Sequence, residues 1–220
     1  MSAYLHHALF SAALWPATAT AAWLAAKFIP RQDSAPQPLG WRKITLIAAC
    51  AGLTALPFEV SWQQRLWLLP VITLLVALAL ADWRRQWLPD RLTQPLLWSG
   101  LLCNLSQGWA PLPEAVIGAA AGYLSLWLLN ALYLKMRRRA GIGQGDFKLL
   151  AALGAWAGWS ALPLLVSIAA AAGLGVTLAR CLLGNAAWRA PLPFGVYLAA
   201  AGWLVLLLNA GPPPVNFSGR

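Results

Sequence analysis

Long apolar stretches, broken only by short charged clusters, constrain this chain more than any other feature. The run from Leu66 to Ala81 contains no charged residue, nor does the run from Ala115 to Leu134. At a rise of about 1.5 Å per residue, helices of this length come close to the roughly 30 Å of hydrocarbon in a bilayer. Apolar residues make up 60% of the chain and charged residues only 10%. A soluble domain carries about a quarter of its residues as charges. The chain therefore reads as a membrane protein. A transmembrane barrel would alternate apolar and polar residues in segments of about ten, and these runs do not alternate.

Eight apolar runs can be drawn: Tyr4 to Phe28, Ile44 to Val60, Leu66 to Ala81, Thr93 to Trp109, Ala115 to Leu134, Phe147 to Trp159, Leu162 to Leu183 and Phe194 to Asn209. They predict an all-α, polytopic helical bundle of about eight spans, a single integral membrane domain over residues 1–220. The sixth run is too short to cross alone. It is expected to tilt, to stop below the far surface, or to join the seventh through Ser160 to Pro163 as a shallow hairpin. No Lys or Arg precedes the first apolar run, so that run lacks the basic start of a cleavable signal and is expected to be retained.

Charge sets the orientation, because short cytosolic loops hold Lys and Arg. With both termini outside, fourteen of the sixteen basic residues fall on the cytosolic side, leaving Arg65 and Arg220 on the other. The segment 29–43 is then a short cytosolic loop in a cell inner membrane. The net charge of +10 becomes a property of that face. Topology and anionic lipid headgroups account for it, and no nucleic-acid partner is implied. Cys50, Cys103 and Cys181 each stand alone in apolar sequence and are expected to be buried small hydrophobes. Neither they nor His6 and His7 have the spacing of a metal site. Trp83, Trp87, Trp98, Trp109, Trp156 and Trp159 read as an interfacial belt.

Two segments break the apolar background: Asp82-Trp-Arg-Arg-Gln-Trp-Leu-Pro-Asp90 at the end of the third run, and Gly141-Ile-Gly-Gln-Gly-Asp146-Phe-Lys148 at the start of the sixth. An ionisable group at membrane depth is costly and is usually paired, wetted or functional. The glycines suit a loop that must lie close to an extended peptide. Simpler readings stand beside these. Asp146 precedes an apolar helix as an N-cap or first-turn residue would, Asp90 follows Pro89 as a turn or helix-start residue would, and Lys148 suits an interfacial anchor. Ser125 and Ser160 have no partnered His, so a serine triad finds no support. A bundle that translocates protons or ions is a competing reading of the acids. Against it, no acid lies in the middle of a run.

Residues 81 to 98, Ala-Asp-Trp-Arg-Arg-Gln-Trp-Leu-Pro-Asp-Arg-Leu-Thr-Gln-Pro-Leu-Leu-Trp, resemble the first aspartate motif of the type IV prepilin peptidases. Residues 141 to 159 resemble their glycine-rich GxGD motif, and Pro193-Phe-Gly195 resembles their closing signature. The three follow in family order within residues 81–197, which the resemblance marks as the peptidase core. It implies a membrane aspartic endopeptidase with Asp82 and Asp146 as its catalytic pair. Gly143, Gly145, Asp90 and Lys148 would bind substrate or shape the site. It implies prepilin or pseudopilin substrates with a basic leader, cut at the cytosolic face, and neither metal nor cofactor for the cut. Oligomeric state is left open.

Many members also methylate the new N-terminus with S-adenosylmethionine and carry a cysteine-rich cytosolic segment after the first span. This chain has only Lys27 to Lys43 there, without Cys. That departure leaves N-methylation and its cofactor an open expectation. Val196 stands where a second Pro is common. An inactive assembly factor that keeps the family fold is the remaining alternative.

Overall fold

The structure, a computed structural model, describes residues 62–106, 108–138, 141, 143–183 and 192–210, together with Pro16 and Thr20. The expected spans at Tyr4 to Phe28 and Ile44 to Val60, the 29–43 loop, His6, His7 and Cys50 lie outside the described residues.

Six α-helices follow one another: α1 (Trp62–Arg85), α2 (Asp90–Leu105), α3 (Leu112–Arg137), α4 (Gln144–Ala157), α5 (Leu162–Leu182) and α6 (Phe194–Leu208). A 3-10 turn, Trp159–Ala161, joins α4 to α5. No strand occurs among the described residues. Leu66–Arg85, Leu112–Arg137 and Trp159–Leu182 are long and apolar enough to cross a membrane, and Phe194–Leu208 is a shorter apolar helix.

Local chemistry sets the helix ends. Pro89 and Pro111 hold extended or turn backbone immediately before α2 and α3. That is where the ring's fixed φ and missing N–H are tolerated. α1 ends at Gln86 (φ 50°) and α3 at Arg138 (φ 54°), both left-handed. Gly158, at φ 80°, turns the chain out of α4, a conformation that costs glycine little.

The shortest helix lies at the centre. α4 packs against α2, α3 and α6, and Phe147 and Leu149 through Ala157 are all buried. This explains how the short sixth run is accommodated: α4 faces protein on its sides, so it need not match the hydrocarbon thickness. Gly118 and Gly122 of α3 bring that helix against the α4 backbone, the close approach that small residues permit between membrane helices.

Polar atoms lock the end of α4 away from Asp146. The side-chain amide of Asn104, buried in α2, donates to the carbonyl oxygens of Ala155 and Trp156 at 2.8 and 3.0 Å. Its oxygen accepts from the backbone N–H groups of Trp109 and Ala110 at 2.7 and 3.1 Å. Helix-end carbonyls that lack partners are thereby satisfied where water is excluded.

Trp156 departs from the expected belt. It is fully buried, donates its indole N–H to the carbonyl of Leu96 at 2.8 Å, and meets the rings of Trp67 and Trp109 edge-on. Trp109 also turns inward, donating to the carbonyl of Leu206 at 2.9 Å. Trp83, Trp87, Trp98 and Trp159 are exposed on the bundle. Cys103 is buried as expected, whereas Cys181 is exposed on α5. Its helix covers only one face, so an apolar neighbourhood in sequence did not mean enclosure.

Candidate active site

The first aspartate motif folds as a helix end and a turn. Asp82 lies one turn from the end of α1, and its carbonyl accepts the N–H of Gln86 at 2.8 Å. The left-handed Gln86 redirects the chain so that Leu88 points inward and Asp90 becomes the first residue of α2. The helix-start reading of Asp90 therefore holds.

Asp146 sits in the first turn of α4. Gly143 is the N-cap, and Asp146, three residues on, accepts the Gly143 N–H on its carboxyl, so the first-turn reading of Asp146 holds. The glycines place this segment tightly. A β-carbon on Gly145 would stand 2.7 Å from Cβ of Leu88, and one on Gly143 would stand 3.4 Å from Oδ2 of Asp146. Gly141 lies under the ring of Tyr133, and its N–H donates to Oδ1 of Asn130 at 3.0 Å. Asn130 and Tyr133 of α3 carry the glycine-rich loop, and nothing in their local sequence signals it.

The two acids, distant along the chain, line one cavity of about 670 Å³ together with Gln86, Trp87, Asp90, Gly143, Gly145 and Lys148. All six expected site residues belong to it. Asp82 and Asp146 are 5% and 8% exposed. The cavity thus opens to two nearly enclosed carboxyl groups. Burial, followed by the negative charge of Asp82, pushes the Asp146 carboxyl up to about 7, with a backbone hydrogen bond from Gly143 acting the other way. Two acids that share a partly desolvated space resist ionising together, so one of them keeps a proton near neutrality.

Lys148 is not an isolated anchor. Its Nζ lies 2.6 Å from Oδ1 of Asp90, tying α4 to the start of α2 at the cavity rim. Both side chains are partly exposed, and a pair so wetted contributes no more than about 1 kcal/mol. The third motif reaches the same place from α6. The N–H of Val196 donates to Oδ2 of Asp82 at 3.1 Å, with Gly195 packed against that carboxyl. The sequence marked Pro193-Phe-Gly195 as a signature but assigned it no task. Among the described residues, no three His, Cys, Asp or Glu side chains are grouped to hold a metal ion.

A model of the type IV leader peptidase family matches residues 68–178. The chain is 48% identical over 174 residues to a prepilin leader peptidase/N-methyltransferase of Dickeya chrysanthemi, covering 78% of this chain and 61% of that protein. A protein of the same name from Aeromonas salmonicida is 45% identical over 174 residues, covering 79% of this chain and 58% of the relative. One from Burkholderia pseudomallei is 53% identical over 135 residues, covering 61% and 44%. The chain therefore spans about three fifths of the length of the first two of these relatives. No solved structure gives a significant match.

Proposed function

This chain belongs to the type IV leader peptidase family, and from that premise we propose that it is a membrane aspartic endopeptidase that removes leader peptides from prepilins or pseudopilins, with Asp82 and Asp146 as the reacting pair. One observation carries the reading: two nearly enclosed carboxyl groups, one from α1 and one from α4, line a single cavity. The ionised member takes a proton from water, the water oxygen attacks the scissile carbonyl, and the protonated member donates to the carbonyl oxygen or leaving amine. Neither acid lies mid-helix in a chain of polar groups, which favours this chemistry over an ion path.

The wider arrangement belongs to the same proposal. The bundle has about eight spans with both termini outside, and the cavity faces the cytosol of a cell whose inner membrane holds it. The clustering of Lys and Arg supports that orientation. A substrate's apolar helix would lie in the bilayer against the bundle, with its polar leader in the cytosol and the scissile bond level with the two acids. Gly143 would keep the wall low enough for an extended strand, while Gly145 seats the segment against Leu88 and so shapes the site. Asp90 and Lys148 would hold the rim.

The relatives' names include a second activity, N-methyl transfer, which would need S-adenosylmethionine. The cavity lining mixes Trp87, Leu88 and Pro89 with Asp82, Asp90, Asp146, Arg91 and Lys148, and no residue here is assigned to that group. No step here runs through it. Mass analysis of the mature N-terminus tests the point.

For the peptidase, the chain is co-expressed with a prepilin and leader loss is followed by gel shift. Asp82→Asn and Asp146→Asn are each expected to abolish cutting, while Asp90→Asn largely spares it. Normal processing by both of the first two variants would overturn the assignment.

A further inference from the structure

Asp82 is the acid that a second helix holds by its end. Its Oδ2 accepts the N–H of Val196 at 3.1 Å. Val196 lies in the first turn of α6 (Phe194–Leu208), where the helix dipole is positive. The Val196 N–H is shared with the carbonyl of Pro193 at 3.3 Å, and the Gly195 N–H donates to the same carboxyl of Asp82. Gly195 makes the approach possible: a β-carbon there would stand 2.9 Å from the same oxygen and 3.0 Å from the carboxyl carbon. Asp146, itself in the first turn of α4, takes one backbone hydrogen bond, from Gly143 in its own segment, whereas Asp82 takes two from another helix. The two carboxyl groups therefore occupy unlike settings, although they share one cavity.

We infer that Val196 is a positioning residue whose main-chain N–H holds Asp82 as the charged, water-activating member of the pair, leaving Asp146 to carry the proton. This deepens the proposed peptidase reading and rests on it. In the first step water gives a proton to Asp82 as its oxygen bonds to the carbonyl carbon, and Asp146 gives its proton to the carbonyl oxygen. In the second, the C–N bond breaks as Asp82 returns its proton to the leaving nitrogen, and Asp146 recovers one from a hydroxyl of the hydrated carbon. The pair ends as it began.

Other charges near Asp82 are accounted for. α4 brings Asp146 and Lys148, and α2 brings Asp90 and Arg91 to the same cavity, with Asp90 engaged by Lys148. Arg84 and Arg85 follow on its own helix. α6 brings no charged side chain, and its Tyr197 lies beside Gly173 of α5. The main chain at Gly195 and Val196 is thus the contribution of α6 to the charge state of the site.

Proline at 196 would delete this donor together with the 3.3 Å bond to the Pro193 carbonyl, and the first turn of a helix tolerates proline. The test measures kcat/KM against pH for the full chain in lipid nanodiscs, cutting a prepilin-derived peptide. Val196→Ala keeps the N–H and is expected to leave the acid limb at the pH of the parent. Val196→Pro is expected to move the acid limb up by about half to one pH unit, the equivalent of one lost hydrogen bond. Superposition of the proline variant on the parent would overturn the inference. Should that variant fail to accumulate, Gly195→Ala pushes a β-carbon against the carboxyl, and an unmoved acid limb there would overturn it equally. An unmoved limb, with Asp82→Asn and Asp146→Asn both dead, defeats the positioning role alone. Cutting by Asp82→Asn defeats the peptidase reading beneath it.

Discussion

Gly118 of α3 and Gly154 of α4 face each other backbone to backbone: a β-carbon built on either would run into the carbonyl oxygen of the other. Neither obstacle is a flexible side chain, so the helices themselves must part to admit any substituent. Because α4 carries Asp146 at its far end, the contact sets where the second acid lies.

Gly154→Val and Gly118→Val are therefore expected to lower the unfolding temperature in detergent, with a cost of about 1–3 kcal/mol or more from overpacking. Cutting of a prepilin should fall with it. A valine variant that melts with the parent would show that α3 and α4 do not pack this closely.

Asn104 supports a second prediction. Its side chain serves four backbone partners from α4 and from the turn before α3. Leucine at this position is nearly isosteric and leaves those groups unpaired, at about 1–3 kcal/mol for each one that stays buried. Asn104→Leu should consequently unfold well below the parent, and thermal denaturation reads the difference. Asn104→Asp keeps the acceptor and loses the donor, so the carbonyls of Ala155 and Trp156 lose their partner while Trp109 and Ala110 keep theirs.

The third prediction concerns pH. The Asp146 carboxyl is raised from 3.8 to about 7, by burial first and the charge of Asp82 second. Between those values the folded protein binds more proton than the unfolded chain, so stability falls as pH rises through that window. Any stability that depends on Asp146 is fully present below about 4 and lost once pH passes about 7. Melting temperatures between pH 4 and 8 should decline for the parent and flatten for Asp146→Asn. Cutting should also decline above about 7, as the proton that Asp146 donates is lost. An identical slope in the asparagine variant would locate the titrating group elsewhere.

Several features could be read from the residues in order. The apolar runs predicted helices, and the helices α1 to α6 fall on the six runs from Leu66 onward. Asp82, Asp90 and Asp146 stood out because a charge in apolar sequence is rare, and the glycines before Asp146 marked a close approach that Leu88 accounts for. Trp156, Asn104 and Asn130 carried no such mark, and Val196 was marked only as standing where a second Pro is common. In a membrane bundle the lipid-facing and core-facing sides are both apolar, so periodicity does not say which tryptophan turns inward. A main-chain N–H such as that of Val196 is common to every residue but proline.

Sequence alone marked the apolar runs as helices and Asp82, Asp90 and Asp146 as acids at their ends, because transfer of charge into hydrocarbon is costly enough to write those facts into composition and order, and the motifs marked the family. Tertiary structure decided that a short helix is the buried centre, that Asp82 and Asp146 share one cavity, and that α6 reaches Asp82 through bare backbone. Those relations depend on distances between segments far apart along the chain, set by helix packing at glycines and by main-chain hydrogen bonds, and neither leaves a periodic trace in the sequence.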